Sequence, residues 1–194
     1  MKPAVFLDRD GTIIELVHHL TLPEQVSLIE GAAEGIGMLQ TAGYACVVVT
    51  NQSVVGRGMI DQAGLDDVHH ELKRQLAARG IRLDGIYSCP VPPRGASHLE
   101  IEHPDRKPGP GMLLQAAREM RLDLTRSWMI GDSVSDMVAG RLAGCLGTVL
   151  VYAGDERHTD LRHQAVDHVA ADLRTAATWV ISGGSGHRSP VGGQ

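Results

Sequence analysis

Short apolar runs recur along the chain at intervals that leave room for a helix between one run and the next. None of them alternates between apolar and polar residues, so each is typical of a strand covered on both faces, as in a parallel sheet. The most strand-like is Ala45–Val49, which is continuous and rich in β-branched residues. The other predicted strands are Ala4–Leu7, Gly85–Ser88, Trp128–Ile130 and Thr148–Tyr152.

The intervening segments carry helical periodicity. The clearest helix follows Asp61, a good N-cap, and ends at Gly80, a typical C-terminal stop. Spacings of three and four place its apolar residues on one stripe, namely Leu65, Val68, Leu72 and Leu76. We expect the pair His69–His70 at the surface of the same helix. Further helices are predicted after Pro110, after Ser135 and from Leu173 onward.

Strands that alternate with helices predict an α/β fold, with an open, doubly wound, mainly parallel sheet covered by helices on both faces. We expect one domain over residues 1–181 and a flexible Gly/Ser-rich tail over residues 182–194. Between Pro90 and Pro110 the chain holds six prolines and no convincing helix or strand. A loop of this length inside a domain is usually functional or a small cap, so we predict a minimal cap and a proline-rich loop.

Composition excludes several classes of protein. With 194 residues, 43% of them apolar and 21% charged, the chain can bury a sizeable core. A net charge of -5 and an aromatic content of 3% argue against a nucleic-acid partner. No apolar run is long enough for a membrane span, and the first ends at Asp8, too early for a secretory signal. Three scattered cysteines indicate reduced thiols, which are typical of a cytoplasmic protein. We therefore expect a cytoplasmic protein without a membrane partner, and we expect it to be a monomer.

Polar side chains follow three of the predicted strands. Asp8 and Asp10 follow the first strand, Thr50 the second and Asp132 the fourth. Because the carboxyl ends of parallel strands share one edge of the sheet, we expect these groups to lie close together. Crowded carboxylates repel one another unless a hard cation offsets their charge, and Mg²⁺ suits a site with few protein oxygens. The predicted ligands are Asp8, Asp132 and a backbone carbonyl near Asp10.

Two cationic residues lie where they could meet a phosphate group. Lys107 comes just before the helix predicted after Pro110, and from a helix entry a lysine can reach over the edge of the sheet. Arg57 has a glycine on either side, which permits a tight loop with a projecting guanidinium. For Arg57, phosphate binding and a plain surface position are equally open. Carboxylates, a hydroxyl and a lysine at one edge predict chemistry on a phosphate.

These residues resemble the four motifs of the haloacid dehalogenase (HAD) superfamily. The segment Asp8–Thr12 looks like the first motif, Thr50 the second, Lys107 the third and Gly131–Asp136 the fourth. The longer strings FLDRDGTI, VVVTNQSVVGRG, LDGIYSCP, DRKPGPGML and MIGD are similar to one branch, the histidinol-phosphate and D-glycero-D-manno-heptose 1,7-bisphosphate phosphatases. The resemblance extends from the first predicted strand to the fifth, and loop sizes favour the heptose bisphosphatases.

The resemblance implies a Mg²⁺-dependent phosphatase of the HAD fold that acts on a small phosphorylated metabolite. Asp8 would be the nucleophile that forms an aspartyl-phosphate, and Asp10 the general acid and base. Thr50 and Lys107 would hold the phosphoryl oxygens, with the metal on Asp8, Asp10 and Asp132. The resemblance assigns substrate binding to Asn51, Gln52, Ser53, Arg57 and Arg106. We add His18 and His19 as candidates, because they follow the first motif.

The chain departs from this branch in two places that touch substrate in relatives. Heptose bisphosphatases carry a segment like Asp-His-Gly-Tyr after the first motif, where this chain has Leu16–His19. Ser133 stands where the family often has a lysine. The phosphatase interpretation does not depend on either position, whereas the choice of sugar does.

The proline-rich loop departs from the family in its metal ligands. Relatives hold this loop with Zn²⁺ through Cys-x-His and Cys-x-Cys pairs, which here become Cys89 with Val91 and His103 with Asp105. Closed structural zinc sites need four good ligands. We therefore expect no zinc; the only candidate ligands are Cys89, His98, His103 and Asp105.

Other functions fit part of the same pattern. A histidinol-phosphate phosphatase would share every catalytic residue but needs an anionic pocket for the substrate amine. A signalling receiver domain also combines acidic residues, a threonine and a lysine, but its lysine follows the threonine at the last strand, whereas Lys107 precedes the strand that carries Asp132. An inactive sugar-phosphate binding module would be expected to lack a motif residue, and none is missing. Another small sugar-phosphate phosphatase would show the same motifs.

Overall fold

A computed structural model describes residues 1–95, 97, 99–152 and 163–184. Its sheet consists of β1 (Ala4–Leu7), β2 (Ala45–Asn51), β3 (Gly85–Cys89), β4 (Trp128–Gly131), β5 (Gly147–Val151) and β6 (His168–Ala170). These strands pair in the order β3-β2-β1-β4-β5-β6, and every pairing is parallel. The predicted α/β fold with a parallel sheet is therefore confirmed. All five predicted strands are present, and β6 was not predicted.

The helices of the described chain are α1 (Ala32–Thr41), α2 (Ser53–Gly56), α3 (Gln62–Ala77), α4 (Gly111–Met120), α5 (Val134–Ala143) and α6 (Leu173–Ile181). Four of them, α3 to α6, lie where the periodicity predicts them. Asp61 caps α3 as expected, since its side chain accepts the N–H of Gly64 at 2.9 Å. The other two were missed: α2 is a single turn, and the Ala- and Gly-rich sequence of α1 has little contrast between its faces.

Successive residues of β1 face opposite sides of the sheet, and helices cover both sides. Val5 and Leu7 belong to an apolar layer with α1, α3 and α6, whereas Phe6 belongs to a layer with α4 and α5. The sheet is thus doubly wound, as predicted. β1 is fully buried because it lies between β2 and β4. Polar residues that follow β1 can reach solvent only at the carboxyl edge of the sheet.

The proline-rich loop joins β3 to α4. Its described residues, 90–95, 97 and 99–110, form neither helix nor strand, as predicted. The proposed division into a domain over residues 1–181 and a tail over residues 182–194 stays a prediction, because residues 185–194 lie outside the described chain, although α6 does end at Ile181. Within the described residues, no helix combines the length and the apolarity needed to cross a membrane.

Candidate active site

The first motif leaves the sheet at the end of β1 and turns toward β4. The N–H of Asp8 donates to the carbonyl of Ile130 at 2.9 Å, which ties the start of the loop to β4. The chain turns at Gly11, whose φ is 77°. A side chain at this position would collide with the carboxylate of Asp132, so glycine is what allows the loop to approach the end of β4. Asp8 and Asp132 thereby meet at one edge of the sheet.

Lys107 enters this edge from the far end of the proline-rich loop and is buried there. Its Nζ donates to Oδ1 of Asp8 at 2.6 Å and to the carbonyl of Val49 at 2.8 Å, and it lies 2.6 Å from Oδ1 of Asp136. Two hydrogen bonds and one ion pair thus hold the ammonium at this edge. The lysine is therefore fixed between two carboxylates rather than free on the surface.

The electrostatics of this group favour a cation beside Asp8. Burial raises the pKa of Asp8 to about 7, with Lys107 opposing the shift and the carboxylates of Asp136 and Asp10 adding to it. Burial lowers the pKa of Lys107, but the charges of Asp136 and Asp8 outweigh burial and hold that pKa above its usual value. Lys107 thus stays charged, while Asp8 needs further positive charge to be fully ionised at neutral pH.

Three carboxylates form a cluster suited to a divalent cation. One oxygen each from Asp8, Asp132 and Asp136 lies within 4.8 Å of the other two, and this is the one such group among the residues described. Asp136 is already engaged, because Oδ1 faces Lys107 and Oδ2 accepts from the N–H and the hydroxyl of Ser133 at 3.0 and 2.7 Å. The cluster thus brings together Asp8 and Asp132, the two carboxylates that the sequence predicts as Mg²⁺ ligands. Asp136 was not among the predicted site residues, although its position in the fourth motif signals it.

The carboxylate of Asp10 points away from this cluster and into a hydrogen-bonded network. Arg9 donates to it from Nε and Nη2, both at 3.1 Å. Nε2 of Gln52 donates to Oδ2 of Asp10 at 2.9 Å and to Oγ1 of Thr50 at 2.8 Å. Because its side chain is engaged in this network, the group of Asp10 that could bind a metal is its backbone carbonyl. Sequence reasoning missed Arg9, which is 1% exposed, because its partner Gln52 is 43 residues away.

Asn51, predicted to bind substrate, fastens the lysine segment to the end of β2. Its Nδ2 donates to the carbonyl of Lys107 and its Oδ1 accepts the N–H of Lys107, both at 3.1 Å. These two bonds hold the backbone at residue 107 against the sheet. Asn51 thus links the second and third motifs.

A cavity of about 310 Å³ opens beside Asp10 and takes in most of the predicted binding residues. His18 and His19 form one wall, with ring centroids 3.9 Å apart, and His19 holds a φ of 56°. The lining residues described are Arg9, Asp10, Leu16, Val17, His18, His19, Leu20, Asn51, Gln52, Ser53 and Val54. The volume and the lining suit the organic part of a small phosphate ester.

The two predicted binding arginines lie elsewhere. Arg106 lines a smaller cavity of about 50 Å³ that also contains Lys107 and Ser135. Its Nη1 donates to the carbonyl of Val91 at 2.8 Å, so it also braces the proline-rich loop. Arg57 is exposed just after α2 and lines neither cavity. Burial lowers the pKa of Arg106 and the charge of Arg57 lowers it further, so Arg57 lies near Arg106 although it lines neither cavity.

The candidate zinc ligands do not converge in the described part of the loop. Cys89 is buried, and burial raises the pKa of its thiol. Nδ1 of His103 accepts the N–H of Asp105 at 3.1 Å, which occupies one ring nitrogen. No metal cluster among the described residues contains any of these three, and His98 lies outside them. A zinc site of the family type does not fit this chain.

The carboxylate of Glu102 cross-links the middle of the same loop. It accepts the N–H of Arg94 at 2.6 Å and also the N–H of Gly95. These charge-assisted bonds tie residues 94 and 95 to residue 102 within the loop.

One expectation from the sequence is wrong. His69 was expected at the surface of α3, but it is only 8% exposed, whereas His70 is exposed. The spacing could have shown this, because position 69 lies four residues after Leu65 and three before Leu72, on the apolar stripe itself.

Comparisons with known proteins agree with this geometry. A family model described as HAD-hydrolase-like matches residues 105–176. The D-glycero-beta-D-manno-heptose-1,7-bisphosphate 7-phosphatase of Pasteurella multocida (strain Pm70) is 42% identical over 168 residues, which cover 85% of this chain and 90% of that protein. The enzyme of the same name from Photorhabdus laumondii subsp. laumondii is 43% identical over 180 residues, covering 90% of this chain and 94% of that protein.

A solved structure agrees as well. The D,D-heptose 1.7-bisphosphate phosphatase from B. bronchiseptica, complexed with magnesium and phosphate, superposes with a TM-score of 0.80 at 31% identity. The superposition covers 93% of this chain and 99% of that one.

Proposed function

The chain belongs to the HAD-like family of D-glycero-D-manno-heptose-1,7-bisphosphate 7-phosphatases. On that premise we propose that it removes the 7-phosphate of this heptose bisphosphate, as a step in nucleotide-activated heptose synthesis. It is a phosphatase that acts on a small phosphorylated sugar. One observation carries the chemistry: Nζ of Lys107 lies 2.6 Å from Oδ1 of Asp8, with Asp10 two residues further along the same strand end. A nucleophile, a fixed cation and an acid/base group thus share one edge of the sheet.

We assign Mg²⁺ to this edge, held by the side chains of Asp8 and Asp132 and the backbone carbonyl of Asp10. The clustered carboxylates support the assignment, and the B. bronchiseptica relative was crystallised with magnesium. When bound, the cation offsets the negative charge of the phosphate and of the attacking carboxylate.

Asp8 attacks phosphorus and forms an aspartyl-phosphate, while Asp10 donates its proton to the departing sugar oxygen. In the second half of the reaction Asp10 takes a proton from water, the water attacks the same phosphorus, and Asp8 is released. Lys107 and Thr50 hold phosphoryl oxygens through both halves. The carboxylate of Asp136 keeps Lys107 aimed at the reacting group in the absence of substrate.

The sugar and its second phosphate occupy the cavity beside Asp10 in this proposal. His18, His19 and Ser53 line that cavity and offer donors to hydroxyl and phosphate oxygens. Gln52 and Asn51 contribute to it mainly by orienting Asp10 and Lys107. Arg106 approaches from the other side of Asn51, and Arg57, whose charge acts on Arg106, contributes from that direction.

The described lining of the cavity opposes the alternative substrate, histidinol phosphate. Its single acidic residue is Asp10, and Arg9 already pairs with that carboxylate. An amine would meet two histidines and an arginine there instead of an anion.

A panel of heptose bisphosphates, fructose 1,6-bisphosphate and histidinol phosphate tests the assignment. We expect the highest kcat/KM for the heptose 1,7-bisphosphate, and a preference for histidinol phosphate would refute it.

We further propose that the enzyme is a cytoplasmic monomer that carries no zinc. The hydrogen bonds from Arg94 and Gly95 to Glu102 and the buried thiol of Cys89 support a loop that is ordered without metal. A receiver domain or an inactive binding module would not turn over. Release of inorganic phosphate from a simple phosphate ester in Mg²⁺ separates the enzyme from both.

A further inference from the structure

A buried guanidinium next to Asp10 is only partly paired. Arg9 uses Nε and Nη2 to hold the two oxygens of Asp10, and Nη2 also donates to Oε1 of Gln52 at 2.8 Å. Its remaining nitrogen, Nη1, is buried and has no hydrogen-bond partner. Buried guanidinium nitrogens are rarely left without an acceptor, because water cannot replace the missing bond.

A second buried nitrogen without a partner lies on α3. His69 of α3 is 8% exposed, and its Nε2 is likewise buried without a partner. The ring is close enough to Arg9 and Asp10 for both charges to act on it. Burial lowers the pKa of His69 to about 4, the charges of Arg9 and Lys73 lower it further, and Asp66 and Asp10 oppose them. The ring is therefore neutral at neutral pH, and with its proton on Nδ1 it presents Nε2 as an acceptor.

The two orphaned atoms are complementary, and the proposed mechanism uses neither. We propose that His69 is a positioning residue whose neutral ring accepts a hydrogen bond from Nη1 of Arg9, directly or through one buried water, and so fixes the guanidinium that aims Asp10. The proposal rests on the acid/base function proposed above for Asp10. It extends the active site through Arg9 into α3, whose other buried residues are apolar.

The chain offers a matched set of variants. His69→Leu keeps an apolar side chain of similar size but removes the acceptor, His69→Gln restores an acceptor, and His70→Leu changes the exposed neighbour on the same helix. We expect His69→Leu to lower kcat about tenfold or more with KM unchanged, since an unpaired buried donor lets Arg9 and Asp10 move. His69→Gln should recover most of kcat, and His70→Leu should match the parent enzyme.

A double-mutant cycle separates positioning from general damage. In an Asp10→Asn background, His69→Leu should cost little further activity, because the group that His69 helps to aim is gone. The same fold-loss in both backgrounds, or equal kcat for His69→Gln and His69→Leu, would overturn the proposal. If Asp10→Asn alone were nearly as active as the parent, the proposed function of Asp10 would fail instead, so the two failures are distinguishable.

Nitrogen-15 NMR of the unmodified protein gives a test that does not depend on how the variants fold. A spectrum showing a neutral His69 ring with an unprotonated, hydrogen-bonded Nε2 supports the proposal. A ring protonated on Nε2, or one that exchanges freely with solvent, contradicts it.

Discussion

Nζ of Lys107 lies 2.6 Å from Oδ1 of Asp136, a residue that is itself 1% exposed. The two carboxylates of the fourth motif therefore have different contacts. Its first carboxylate, Asp132, belongs to the carboxylate cluster with Asp8, and its second, Asp136, also pairs with Lys107. Because both partners are buried, the pair behaves as part of the core as well as of the active site.

Removing this lysine should cost stability as well as activity. Lys107→Met leaves the carboxylates of Asp8 and Asp136 facing each other without a cation, which typically destabilises a fold by about 3–5 kcal/mol. Denaturant unfolding of the metal-free protein measures the loss, which should shrink at low pH, where the carboxylates take up protons. Lys73→Met, at an exposed position of α3, is the control. An unchanged unfolding midpoint for Lys107→Met would show that the buried pair contributes nothing to stability.

Asp8→Asn should abolish turnover and spare the fold. The amide keeps the shape of the side chain but cannot form an aspartyl-phosphate, and loss of a nucleophile costs several orders of magnitude in kcat. Lys107 keeps Asp136 as its partner, so the variant should melt at or above the temperature of the parent. Phosphate release with Mg²⁺ present, together with circular dichroism, checks both expectations. Clear steady-state turnover by a folded variant would rule out the covalent mechanism.

Asp10→Asn should lower kcat by about 10²- to 10⁴-fold, the usual contribution of a general acid and base. The amide also leaves the buried charge of Arg9 without its carboxylate, so some loss of stability should accompany the loss of activity. Asp66→Asn, an exposed change on α3, serves as the comparison. Activity close to that of the parent would assign the proton transfers to another group.

Metal binding should depend on pH through Asp8. In the metal-free protein its pKa is raised to about 7, so the folded state holds this proton more tightly than the unfolded state does. The contribution of Asp8 to stability is therefore present at low pH and is lost as the pH rises through about 7. Mg²⁺ needs the ionised carboxylate, so its affinity should rise up to about tenfold per pH unit below that pKa. Calorimetry in buffers of different ionisation enthalpy should show proton release at about pH 6 and little at about pH 8; proton uptake, or none at either pH, would contradict the shift.

The protein as purified should hold no stoichiometric zinc. Strong chelator should stop catalysis by removing Mg²⁺. The proline-rich loop should stay folded, because two hydrogen bonds to Glu102 order it and its prolines limit the freedom of the unfolded chain. Added Mg²⁺ alone should then restore activity. Metal analysis that finds one tightly held zinc per chain, lost with Cys89→Ala, would favour a rearranged site that includes His98.

Much of the edge that carries the chemistry could be predicted from the sequence, because parallel strands bring their carboxyl ends together whatever the order of the strands. Asp8, Thr50 and Asp132 needed only that rule. The network behind them did not follow from it. In the sequence Arg9 is a cation between two acids with no evident role, until Gln52, which comes from a different strand end, is placed beside it.

The missed elements have physical reasons of their own. β6 is three residues long, and only His168 and Val169 precede its single buried alanine, so no periodicity could reveal it. α1 packs against α6, and a Cβ on Gly35 would meet the backbone of Leu173. The buried face of α1 does carry Ile36 and Leu39, but the alanines and glycines around them leave little contrast between the faces of the helix.

The position of β1 also governs how an active molecule is produced. β1 is the first strand to be synthesised, yet it lies between β2 and β4, and Asp8, which follows it, pairs with a lysine 99 residues later in the chain. A nascent chain cannot assemble this edge until β4 has emerged from the ribosome and docked against β1. Contacts of such sequence separation also form late in refolding, because long loops must close first. Recovery of phosphatase activity after dilution from denaturant should therefore follow the slowest structural phase, which makes catalysis a reporter of complete folding.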